Sequence, residues 1–167
     1  MRNQFMQMTT RVLLIVFVVT TTLSGTPDLD ALPDAVVSRI DALGKYDVSD
    51  RINPFYLRGD FDADGRVDYA VLIEEHGTRK RGIVILLSSQ PKLQILGAGN
   101  PVQAGATKWD DLNFDSWRAY DRSPIDAGLG FDPPPGKGDL IYVQKKESAG
   151  GFYRWSGTHF TWVQQGD

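Results

Sequence analysis

The stretch Gly59-Asp60-Phe61-Asp62-Ala63-Asp64-Gly65-Arg66-Val67-Asp68 places four carboxylates around one glycine. Carboxylates at the first, third, fifth and ninth places, with the backbone carbonyl of Arg66 at the seventh, supply the hard oxygens that Ca²⁺ takes. Gly65 permits the sharp turn that gathers them. Without a cation such a loop works against itself. At ~4 Å each carboxylate pair repels by ~1 kcal/mol in water and ~4 kcal/mol at an effective dielectric of 20. Asp60, Asp62, Asp64, Arg66 and Asp68 are therefore the expected ligands of a Ca²⁺ ion. The flanks carry the fold: residues 55–57 enter the loop and residues 67–73 leave it with strand-forming side chains, so the ion would clamp two neighbouring strands. An EF-hand is excluded, because the twelfth place from Asp60 is Val71 rather than a bidentate Glu and the flanks are not helical.

Working outward, residues 74–81 form a charged hairpin connection, and residues 82–88 are a nearly continuous apolar run suited to a central strand. A strand at 93–96 follows the Gln90-Pro91 turn. Residues 97–107 are glycine-rich and irregular, 108–120 suggest a short helix leading into a strand, and 132–138, with three prolines, a stiff extended loop. Strands are expected at 139–144, 151–155 and 159–163, the last two joined by a tight hairpin through Ser156, Gly157 and Thr158. Upstream of the loop, Leu32, Val36, Val37, Ile40 and Leu43 fall on one helical face, with Pro33 in the first turn and Gly44 past the end. A helix of about three turns is marginal alone and should pack on the sheet. The expected fold is α+β, mainly antiparallel β: an N-terminal helix packed on a β-meander sheet or small sandwich, with the Asp-x-Asp-x-Asp-Gly-x-x-Asp loop between two strands.

The first 25 residues have the order of a secretory signal peptide: a basic start with Arg2 and Arg11, the apolar run 12–19, then small polar residues. Eight apolar residues are too few for a spanning helix, which needs about 20. The division expected is a leader at 1–25 and one calcium-loop β-rich domain at 26–167, secreted or periplasmic, with no stable membrane span after cleavage. Cleavage would remove two of the 18 Lys and Arg and none of the 21 Asp and Glu, changing the net charge from −3 to −5. An acidic surface disfavours nucleic acid and anionic membrane as partners. The chain has no cysteine, so disulfides and thiol catalysis are excluded. A bound ion is an alternative source of stability, since a ligand of the folded state alone stabilises it by mass action.

Residues 60–68 and the outgoing run Tyr69-Ala70-Val71-Leu72-Ile73 resemble the calcium loop of FG-GAP and VCBS repeat proteins, the integrin-type propeller repeat. The closing pattern, with Glu147-Ser148, Trp155-Ser156-Gly157 and Phe160-Thr161-Trp162, is similar to small exported bacterial proteins of the VCBS-containing kind. The resemblance implies Ca²⁺ held by the side chains of Asp60, Asp62, Asp64 and Asp68 and the carbonyl of Arg66. Only one such loop is present, whereas a propeller repeats its blade, so the chain cannot close a propeller by itself.

Other chemistry is sparse. Glu74-Glu75-His76 is better read as a solvated hairpin tip beside Arg79-Lys80-Arg81 than as an acid/base or metal site. His159 lies on a strand without a second histidine near it in sequence. Residues 136–138 lack the spacing of a phosphate loop, and their prolines remove backbone donors. No Gly-x-Ser-x-Gly elbow or His-Glu-x-x-His occurs. Asp110 and Asp111 suit helix capping or solvent. On the C-terminal hairpin, Tyr153 and Trp155 share one face and Phe160 and Trp162 another pair of places, so one aromatic set is core and the other can offer apolar surface to a glycan or protein. These features point to a non-enzymatic binding or interaction module with a structural Ca²⁺. Two alternatives are an inhibitor or immunity-type protein of an extracytoplasmic hydrolase, using acidic surface and the 132–138 loop, and a metal-dependent hydrolase using the same Asp loop.

Overall fold

The computed structural model describes residues 29–104, 106–122, 133–148 and 150–165. The leader at 1–25 and the chain's last two residues lie outside them. After a 3-10 turn at Leu29–Ala31 comes helix α1, Asp34–Asp41. The first sheet holds β1 (Tyr46–Val48), β2 (Tyr56–Gly59), β3 (Asp68–Glu75), β4 (Arg81–Leu86) and β5 (Gln94–Gly97). Strands β3, β4 and β5 form an antiparallel meander. Both β1 and β2 pair with the opposite side of β3, β2 against Asp68–Val71 and β1 against Ile73–Glu75. A two-stranded hairpin, β6 (Val102–Ala104) and β7 (Thr107–Trp109), leads to the second sheet. That sheet is a sequential antiparallel meander of β8 (Ser116–Tyr120), β9 (Leu140–Gln144), β10 (Gly150–Trp155) and β11 (Phe160–Gln165).

The apolar runs of β3 and β4 are continuous because both faces of the first sheet are covered. By the two-residue alternation, Ala70, Leu72, Ile83 and Ile85 join Ile141, Val143, Tyr153 and Phe160 of the second sheet in one core. Val71, Ile73, Val84 and Leu86 turn the other way and pack under α1, which contributes Val36 and Ile40. Each fully buried Val, Leu or Ile contributes roughly 1.5–3 kcal/mol of transfer free energy, so the central strands anchor both layers. Val37 and Leu43, expected on the buried face, are half-buried at its margin. The helix starts without a side-chain cap; the Pro33 carbonyl accepts from Val36 N–H at 2.8 Å.

The fold class is as expected: mainly antiparallel β with one short helix among the described residues. Two local readings need correction. Residues 108–120 contain no helix: 107–109 are β7, 116–120 are β8, and the segment between is irregular. Its polar groups are taken by arginines instead of helical hydrogen bonds, as Arg51 donates to the carbonyls of Leu112 and Phe114 at 3.2 and 2.7 Å. Residues 97–107, read as irregular, contain β6 after a tight turn in which Asn100 N–H donates to Gly97 O at 2.8 Å. Strand β1 was not anticipated either.

Candidate metal centre

Strand β2 ends at Gly59 and β3 begins at Asp68, so the two antiparallel strands bring the ends of the acidic loop together with Gly59 opposite Asp68. Between them Phe61 turns inward and is fully buried in the core shared by the sheets, which pins the loop at its second residue. Gly65 sits at φ +80°, the left-handed turn expected of it. Carboxylate oxygens of Asp60, Asp62 and Asp68 lie within 4.8 Å of one another. No lysine or arginine among the described residues pairs with any of the three.

Asp68 is the buried member. Its Oδ2 accepts Phe61 N–H at 2.9 Å and its Oδ1 accepts Ser88 N–H at 2.7 Å, so one carboxylate joins the loop to the end of β4. Burial pushes this carboxyl above the ordinary carboxylate range and the nearby Asp62 charge adds to the shift, while the two N–H donors act against it. Asp60 and Asp62 organise the loop itself. Asp60 accepts from the backbone N–H groups of Asp64 and Gly65, both at 3.0 Å, and Asp62 Oδ1 accepts from Asp64 N–H at 3.2 Å. Ser89 Oγ donates to Asp62 Oδ2.

Asp64 is turned elsewhere. Its Oδ2 takes two hydrogen bonds from the Arg66 guanidinium, at 2.9 and 2.6 Å, and Ser88 Oγ donates to it at 3.1 Å. Desolvation pushes the Asp64 carboxyl up, but the Arg66 side-chain and backbone hydrogen bonds and that of Ser88 together outweigh it and hold the group below its ordinary value. Of the four expected carboxylate ligands, then, three converge, and the fourth, Asp64, forms a separate exposed pair with the Arg66 side chain.

A second segment closes the loop from a distance. Asp139 Oδ2 accepts Asp60 N–H at 2.8 Å, and Asp139 N–H donates to Asp60 O at 2.8 Å. Gly138 permits that approach, because a Cβ there would lie 2.2 Å from the Phe61 carbonyl oxygen. Sequence reasoning missed Ser88, Ser89 and Asp139. For the serines a signal existed: Tyr69 faces Leu86, so residues just past β4 fall beside the loop. Asp139 stands 79 residues from Asp60 and carries no local signal.

The donor set is all oxygen and anionic, the chemistry that hard cations take and soft ones do not. Three carboxylates at such spacing, with no cationic side chain paired to them among the described residues, repel, and a cation is the group that would reverse the sign of that energy.

The other candidates do not assemble into sites. Glu74 pairs with Arg79 at 2.6 Å, Glu75 accepts from Thr78 Oγ1 at 2.6 Å, and His76 Nε2 lies 2.9 Å from Asp47 at an exposed turn. His159 Nδ1 is 2.9 Å from Thr158 Oγ1 within the exposed β10–β11 turn. Asp110 and Asp111, rather than capping a helix, pair with Lys80 and Arg81 at 2.5 and 2.7 Å. Carbonyls of Pro134 and Gly138 accept from Arg122, and that of Pro135 accepts from Arg154 at 2.8 Å, so the proline loop is bound by arginines. No described helix is long and apolar enough to cross a membrane. Compared with protein-family models, curated proteins and solved structures, the chain gives no match.

Proposed function

We propose that the chain is a secreted or periplasmic, non-enzymatic binding module in which a structural Ca²⁺ fastens the junction of β2 and β3. The observation that carries this reading is the convergence of Asp60, Asp62 and Asp68 within 4.8 Å on a loop held by Ser88 and Asp139. The resemblance of residues 60–68 to FG-GAP and VCBS calcium loops supports it from the sequence side. Asp60, Asp62 and Asp68 hold the ion by their carboxylates, and the Arg66 carbonyl completes the loop's donors. Asp64 joins them only by giving up its pair with Arg66. The bound cation supplies charge neutralisation: it offsets repulsion among the acids and makes the buried, ionised form of Asp68 tolerable. Stability, not turnover, is the product of such a centre, since the acids also accept backbone hydrogen bonds from the loop itself and from Ser88.

Calorimetric titration of Ca²⁺ into protein stripped with EGTA tests the assignment. Wild type should give a saturable heat at one site per chain, lost in Asp62→Ala. Absence of any binding heat in wild type would refute the metal reading.

A further inference from the structure

A cleft of about 360 Å³ opens between residues 109–114 and strands β9 to β11, and no residue of the acidic loop lines it. Its walls are aromatic. Trp109 and Trp162 meet edge to face with ring centroids 5.8 Å apart, and Tyr153 packs against Trp162 at 5.0 Å. Trp109 is 39% exposed, so an indole stands open at the lip. Part of the polar fringe is uncommitted: the exposed side chains of Gln144, Ser148 and Gln164 make no hydrogen bond to any other described residue. The Trp162 indole N–H is buried and likewise lacks a partner among the described residues, an uncommon condition for a buried indole.

The cleft is also preformed. Arg51 holds the Leu112 and Phe114 carbonyls, and Arg81 donates to Asn113 Oδ1 at 2.8 Å while pairing with Asp111. Among the described residues that pairing neutralises the one acid of the lining and leaves Lys145 without an ion pair. One lysine cannot offset the several charges of a polyanion, and the chain as a whole is acidic, so a polyanion is a poor fit. The volume falls at the small end of ligand sites, which run from roughly 300 to 1,000 Å³, and it suits one or two rings. A protein partner would instead need a face of about 800 Å².

We propose that this cleft binds a neutral pyranose ring of a glycan. Such a ring has a C–H face to lie on the indoles and a perimeter of hydroxyls that amides can serve as donor and acceptor alike. The inference rests on the binding-module reading and names the class of ligand the module takes.

Saturation-transfer NMR and tryptophan fluorescence, with neutral methyl glycosides of glucose, galactose, mannose and N-acetylglucosamine as probes, test it. At least one should bind with a Kd of about 1 mM, the strength that a ligand of about 13 heavy atoms allows. Trp109→Ala should weaken that binding by about tenfold or more and Gln164→Ala by about threefold. Gln164 is exposed, so its variant keeps the test valid if Trp109→Ala misfolds. Silence from all four glycosides, or binding unchanged by both variants, overturns the proposal, as does occupation of the cleft by a peptide pool but not by sugar. Calcium titration of the same samples separates the failures. Ca²⁺ heat with silent glycosides sinks the cleft alone, glycoside binding without Ca²⁺ heat sinks the metal alone, and cleavage of a glycoside sinks the non-enzymatic reading.

Discussion

Asp68→Asn separates what the buried carboxylate does by hydrogen bonding from what it does by charge. In the native protein its two oxygens accept the Phe61 and Ser88 N–H groups at 2.9 and 2.7 Å. Asn keeps the shape, but one of those oxygens becomes an amide nitrogen that cannot accept. One backbone N–H in a buried place then loses its partner, a loss of about 1–3 kcal/mol. Removing the charge relieves the burial that pushes this carboxyl up, so the net loss in EGTA should sit at the low end, about 1 kcal/mol. Calcium should widen the gap. At free Ca²⁺ one hundred times its Kd, wild type gains about 2.7 kcal/mol, and a variant short of one charged ligand gains little. The difference should therefore rise to nearly 4 kcal/mol, about the sum of the two contributions. Urea denaturation followed by tryptophan fluorescence, in EGTA and in excess Ca²⁺, measures both values. An equal gap in the two buffers refutes the role given to the ion. A variant as stable as wild type in EGTA refutes the role given to the hydrogen bonds.

Arg66→Ala should release Asp64 and tighten Ca²⁺ binding severalfold in calorimetry; unchanged or weaker binding would mean that Asp64 never joins the ion. Gly138→Ala puts a methyl carbon where the Phe61 carbonyl stands, so it should cost about 1–3 kcal/mol in denaturation and lower Ca²⁺ affinity as the Asp139 clasp moves away. The Asp111 carboxyl is held below its ordinary value, chiefly by hydrogen bonds from the Arg81 side chain. A lowered folded-state value means that its contribution is present above the unfolded value of about 3.9 and lost as pH falls through the folded one. Because the pair is partly exposed, wild type should exceed Asp111→Asn by at most about 1 kcal/mol at neutral pH, with the two drawing together in denaturation curves as the pH is taken down through the lowered folded-state value.

The candidate centre was legible as a residue set but not as an arrangement. Asp60, Asp62 and Asp68 could be picked from spacing alone, because the loop is short and its glycine has one conformational use. Asp64 was picked on the same ground and stands apart, because a guanidinium two residues away competes for it at close range. The short strands β1 and β6 escaped reading since three residues hold too little alternation to mark a period. Of the short helix leading into a strand expected at 108–120 only the strand formed, as β8; the helix failed because Leu112 and Phe114 serve the core between the sheets rather than one helical face.

By itself the sequence determined what depends on neighbours along the chain: the doubly buried run of β4, the amphipathic stripe of α1, the acidic bend between two strands and the tight turn before β11. Only the tertiary structure decided which groups meet across long separations. It set Asp139 on Asp60, Ser88 on Asp68, and Trp109 against Trp162 at the mouth of a cleft. The reason is one of range. Periodicity and turn chemistry act over a few residues, whereas these contacts follow from how two sheets and a hairpin share one core, which no local pattern encodes.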